Sequence, residues 1–113
     1  MTKFRLKVMP TPDKYYVAFF VTSCKSFDEV KSKHGATIAA HVARSNELHQ
    51  KGTLLMAGAF LDHPDKDSPD EPVTTMGIFP TRAAAEEYAK GDPFVLNGLV
   101  TKWYIREWAN ILR

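Results

Sequence analysis

"AAHVARSNELHQKGTLLMAGAFLD", residues 39–62, changes its hydrophobic rhythm at a single glycine. Before Gly52, the side chains of Ile38, Val42, Ser45 and Leu48 recur at roughly 100° per residue, the spacing of one face of an amphipathic helix. After it, "TLLMAGAFLD" is apolar on both alternating sets, which predicts a strand covered on both faces and therefore central in its sheet. Gly52 stands where a helix closes with one residue in the left-handed region. The reading is a helix from about Ala36 to Lys51 followed at once by a strand.

Upstream, "YYVAFFVTS" (15–23) is aromatic and β-branched and has strand length, and "KSFDEVKSKHG" (25–35) reads as a charged connection. Downstream, "HPDKDSPDEP" (63–72) holds three prolines and four acidic residues without periodicity, the composition of a solvated loop. "VTTMGIFP" (73–80) returns as a strand, Thr81 is placed to cap the helix-favouring "RAAAEEYAK", and Gly91 ends it. Asp92 and Pro93 open a short turn that Gly98 closes, and "LVTKWYIREW" (99–108) alternates as the last strand.

The order βαββαβ predicts an α+β, ferredoxin-like fold: a four-stranded antiparallel sheet with two helices on one face. The other face would carry aliphatic and aromatic side chains from three strands, too apolar for water. A second copy packed on it would make a homodimer with a barrel-like core.

Composition narrows the class. With 113 residues, 44% of them hydrophobic and 25% charged, the chain suits one globular domain, read as residues 15–113 behind a leader at 1–14. The net charge of +2 is scattered, so no phosphate-neutralising stripe for nucleic acid is visible. No apolar run reaches the roughly 18 residues of a membrane span, and the leader lacks the apolar core of a secretory signal. A single cysteine, Cys24, excludes an internal disulfide and fits a reducing, cytoplasmic setting.

His41 projects into the apolar sector of the helix, where an imidazole is out of place. It is either a histidine at the edge of the core or a base with a partner. Asp92 is the candidate partner, because in this fold it follows the helix lying beside the first; as an N-cap it also has an ordinary structural role. No nucleophile accompanies the pair. His41 and His49 are eight residues apart, not the four of a helical zinc pair, and neither a glycine-rich phosphate loop nor a dinucleotide fingerprint is present, so no metal and no cofactor is expected.

The histidine eleven positions before the glycine, the apolar "AG" strand, "DPF" ahead of a "GL" turn, and the closing "IREW" together resemble the YCII-related family over about residues 15–108. That resemblance implies small dimeric α/β-barrel domains with a His-Asp dyad, here His41 and Asp92, with Pro93 holding the turn. One activity in the family is dehydrochlorination of a chlorinated hydroxyhydroquinone. Dehydrochlorinase-like relatives carry an arginine, a serine and an aspartate around the developing oxyanion; the corresponding positions here are Ile38, Val73, and Thr22 or Ser23. Lys33 or His34 would have to replace that charge, and Ile38 and Phe94 would complete the pocket. The resulting expectation is a cofactor-independent lyase or isomerase acting by proton transfer on a cyclic phenolic, quinonoid or enol substrate. The alternative is a non-catalytic metabolite-binding or accessory module with the same pocket.

Overall fold

The computed structural model describes residues 13–62 and 71–112. Most of the expected leader and residues 63–70 of the acidic loop lie outside the described residues. The elements run β1 (Asp13–Thr22), α1 (Phe27–Gln50), β2 (Met56–Ala59), β3 (Thr74–Phe79), α2 (Arg82–Gly91), α3 (Pro93–Leu96) and β4 (Val100–Asn110). The four strands form one antiparallel sheet in the order β2-β3-β1-β4, the ferredoxin-like arrangement.

Alternation along β1 divides its side chains between the two faces. Ala18 and Phe20 join Leu54, Phe79, Ala85, Tyr88 and Ala89 in the main core, under the helices. Tyr15, Phe19 and their partners Trp108 and Tyr104 point the other way, with ring centroids 6.0 and 5.1 Å apart. Tyr104 and Trp108 are more than 40% exposed on that open face. Trp103, one residue out of phase with them, packs against the main core.

Two expectations are corrected. β2 is an edge strand, not a central one, and it is only four residues long. Its apolar composition does not reflect two covered faces: Leu54, just before it, enters the core, whereas Met56 is 66% exposed. The charged connection at 25–35 is helical from Phe27. The local signal was Ser-x-x-Glu at 26–29: the Ser26 hydroxyl accepts from the Glu29 N–H at 3.1 Å, and the Glu29 carboxylate accepts from the Lys25 N–H at 2.7 Å, a variant of the capping box. A kink at His34 (φ −133°, ψ 25°) separates these first two or so turns from the segment that resumes near the expected start at Ala36.

The helix ends follow local chemistry. Gly52 has φ +81° and Gly98 φ +86°, values that side chains with a Cβ rarely adopt. Gly91 is different, since its φ is not positive. A Cβ there would come within 2.6 Å of Arg44 Nη2. The absent side chain makes room for the Arg44 guanidinium, which donates to the Tyr88 and Glu87 carbonyls at 2.9 and 3.1 Å. A cation on the carbonyls near the end of α2 suits its dipole, and Tyr88 is among the last four residues, whose carbonyls have no partner within the helix. This clasp ties α1 to the end of α2, and so brings the residues after α2 beneath α1.

Candidate functional site

Those residues are Asp92 and the short helix α3. Asp92 is the N-cap of α3, its Oδ2 accepting from the Phe94 N–H at 3.2 Å, and Pro93 sits in the first turn, where its missing N–H costs nothing. Asp92 is only 2% exposed. Its other oxygen, Oδ1, lies 2.6 Å from Nδ1 of His41 on α1, across a sequence separation of 51 residues. A carboxylate cannot donate, so Nδ1 carries a proton, and in the neutral imidazole Nε2, on the opposite edge of the ring, keeps its lone pair. Among the described residues Nε2 has no hydrogen-bond partner. The Phe94 ring packs on the imidazole, centroids 4.6 Å apart, so the turn that supplies the carboxylate also holds the ring's face.

His41, Asp92 and Phe94 border a cleft of about 750 Å³ between α1 and the sheet. That is the size of a small-molecule site. It exists because α1 buries little of its length: Val30 is its one buried side chain, Ile38 at mid-helix packs in part with Cys24, Leu99 and Phe94, and Leu48 reaches the main core near the C-terminal end. The cleft lies on the helical side of the sheet, opposite the open aromatic face. Its floor comes from Phe20, Leu54 and the small residues Ala57 and Gly58 of the edge strand.

The polar groups on the α1 side form a row. His41, Ser45 and His49 are spaced four residues apart, one above the other on a helix, and all border the cleft. Each has a fixed partner: His41 the Asp92 carboxylate, Ser45 the Tyr88 hydroxyl at 2.9 Å, and His49 the Leu54 carbonyl at 2.8 Å through Nδ1. Tyr88 is 5% exposed, gripped by the Phe20 and Phe79 rings, and its burial pushes its pKa above the ordinary phenol range, with the nearby Asp92 charge acting in the same direction.

Of the residues anticipated from sequence, Ile38 and Phe94 border the cleft with His41 and Asp92. Lys33 and His34 do not. Lys33 points to solvent and pairs with Glu29 at 2.8 Å, and His34, at the kink, has Nδ1 3.2 Å from the Asn97 side-chain nitrogen. Neither can replace a missing charge at the cleft. Val73 and Thr22, where dehydrochlorinase-like relatives carry oxyanion partners, do border it, but the Thr22 hydroxyl donates to the Val73 carbonyl at 2.8 Å. Ser45, His49 and Tyr88 were missed as site residues. The four-residue spacing of the first two with His41 was a legible signal; Tyr88, on another helix, had none. Cys24 is buried, which raises its pKa and leaves a poor nucleophile. Among the described residues no group of three or more His, Cys, Asp or Glu is gathered to hold a metal, and no helix is long and apolar enough to cross a membrane.

A family model described as the YCII-related domain matches residues 18–109. No curated protein matches the chain. Among solved structures, it is similar to the 5-chloro-2-hydroxyhydroquinone dehydrochlorinase of Burkholderia phenoliruptrix in complex with 2,5-dihydroxybenzoquinone, at 17% identity and TM-score 0.58 over 83% of this chain and 92% of that one. A dimeric ferredoxin-like protein of unknown function from a Jannaschia species aligns at 11% identity and TM-score 0.50 over 86% of this chain and 99% of that one. At these identities the likeness is one of fold.

Proposed function

This chain belongs to the YCII-related domain family, and from that premise we propose that it is a cofactor-independent proton-transfer enzyme, a lyase or isomerase acting on a cyclic phenolic, quinonoid or enol substrate. The observation that carries the reading is the 2.6 Å contact between His41 Nδ1 and the buried Asp92 carboxylate, with Nε2 left free at the border of a ligand-sized cleft. Nε2 takes a proton from a phenol, an enol or a carbon beside a carbonyl. Asp92 holds the tautomer that makes this possible and stabilises the imidazolium that results. The same imidazolium then returns the proton, to a carbon in an isomerisation or to a leaving group in an elimination. Pro93 and Phe94 orient the pair. The working unit is a homodimer closed over the open aromatic face, which leaves the cleft of each copy on the outer, helical side.

A second reading, a metabolite-binding module without turnover, is favoured by one observation: Ile38, Val73 and Thr22 bring no cation and no uncommitted hydroxyl to the cleft. Removal of a single oxyanion donor typically costs on the order of 10² to 10³ in rate.

Asp92→Asn separates these readings from the structural role of the cap. Asparagine is as good an N-cap as aspartate, so the fold is retained while the charge on His41 is lost. In a screen of hydroxyquinol and enol-lactone compounds, turnover falls by orders of magnitude in Asp92→Asn and vanishes in His41→Asn, and ¹⁵N spectra of the His41 ring lose the preference for a protonated Nδ1. Turnover that survives both substitutions overturns the dyad. Binding without turnover in the wild type selects the second reading.

A further inference from the structure

We infer that the Tyr88–Ser45 hydroxyl pair is the second polar anchor of the cleft, donating to an oxygen on the far side of a six-membered ring whose near side meets His41. The inference rests on the proposed function and adds to it a substrate class, rings oxygenated at opposite edges.

The two hydroxyls carry two O–H groups, and their mutual bond of 2.9 Å uses one, whichever residue donates. The second O–H has no acceptor among the described residues. Both residues border the cleft, and Tyr88 is 5% exposed, so a ligand in the cleft is the natural acceptor.

Ser45 follows His41 by four residues on α1, a step of about 6 Å along the axis and on the same face. That is the scale of one aromatic ring. A ring lying along α1 over the apolar floor can therefore meet Nε2 at one edge and the hydroxyl pair at the other. Where the far oxygen is a conjugated carbonyl, the proton that His41 removes at the near edge leaves an enolate whose charge reaches that oxygen, and there a neutral donor stabilises it.

The pair is also rigid. The Tyr88 ring is wedged between Phe20 and Phe79, at centroid distances of 5.7 and 5.2 Å, and the Arg44 guanidinium lies over it at 5.4 Å. Its hydroxyl is thus positioned before any ligand arrives. Burial, reinforced by the Asp92 charge, keeps the phenol protonated and hence a donor. The pair brings the cleft an O–H that has no acceptor among the described residues.

The test compares two probes of the same shape, hydroquinone and 4-methylphenol, bound anaerobically and followed by calorimetry with the wild type, Tyr88→Phe and Ser45→Ala. The wild type prefers hydroquinone by about three- to tenfold, the worth of one neutral hydrogen bond; each single variant keeps one O–H and so part of the preference, and the double variant Tyr88→Phe/Ser45→Ala loses it. Equal binding of the two probes by the wild type, or a preference that persists in the double variant, overturns the anchor and leaves the proposed proton transfer standing. Absence of binding of either probe at millimolar concentration overturns both. If the double variant does not fold, ¹³Cζ-tyrosine spectra of the wild type decide: the Tyr88 resonance shifts more with hydroquinone than with 4-methylphenol, and equal shifts overturn the anchor.

Discussion

The two long helices of this domain meet the sheet in opposite ways. α2 is ten residues long and presses Ala85, Tyr88 and Ala89 onto Phe20 and Phe79, all within the main core. α1 has twenty-four residues, yet Val30 is its one buried side chain. The helix α2 contributes stability by burying apolar surface; α1 is held at separate points, among them Val30, Ile38, Arg44 and Leu48, and arches over a space it does not fill. The cleft is thus a product of unequal docking. Had α1 carried large aliphatic residues at positions 41 and 45, it would settle on the sheet and the space would close. His41 and Ser45, paired to Asp92 and Tyr88 on the neighbouring helical segments, prop it up instead.

If that contrast is right, equal insults to the two sides have unequal effects. Phe79→Ala, beneath α2 at a fully buried position, costs about 3–5 kcal/mol in urea melts, enough to unfold much of a domain this small. Val42→Ala on α1, at a side chain nearly half exposed, changes stability by less than about 0.5 kcal/mol. Similar losses from both would mean that α1 packs as tightly as α2.

A smaller effect lies in alkaline solution. Burial raises the folded-state pKa of Tyr88 above the unfolded value of about 10, so the folded chain holds that proton more tightly. The resulting stabilisation is complete below about pH 10 and is lost as pH rises through the folded-state value. Thermal melts of the wild type therefore decline on the alkaline side by a component that Tyr88→Phe lacks. Identical alkaline profiles for the two proteins would mean that the Tyr88 hydroxyl is open to water.

A modest effect is expected at the clasp between the helices. In Gly91→Ala the new methyl displaces the flexible end of Arg44 and weakens its bonds to the Glu87 and Tyr88 carbonyls, at about 0.5–1.5 kcal/mol each. Alanine returns up to about 1 kcal/mol in helix propensity. With both bonds lost the net cost is about 0–2 kcal/mol in urea melts, and a further Arg44→Met substitution adds almost nothing to it, because the clasp is already open. A full additional loss in the double variant would show that Arg44 keeps its place beside the added methyl.

Much of this molecule was legible residue by residue. The βαββαβ order, the caps at Thr81 and Asp92, and the left-handed glycines at 52 and 98 depend on hydrogen bonds and periodicities that span a few neighbouring residues, and such signals survive in a linear reading. The capping motif at Ser26 was equally local, and reading its segment as a connection overlooked a signal that was present. What no local pattern contains is where an element sits once the chain has closed on itself. β2 is apolar on alternate positions whether it lies at the centre of a sheet or at its edge; only the partners on either side decide, and β3 occupies one side alone. His41 has the same periodicity as a core residue or as a base. Its 2.6 Å approach to Asp92 depends on Arg44 reaching the end of α2 over a residue without a Cβ. The Ser45–Tyr88 contact spans 43 residues and depends on the same docking. Residue type and spacing thus set out which groups were available for chemistry, whereas packing between segments distant in the chain determined which of them meet, because that choice is made by side-chain volume and by the few bonds that hold one helix against another.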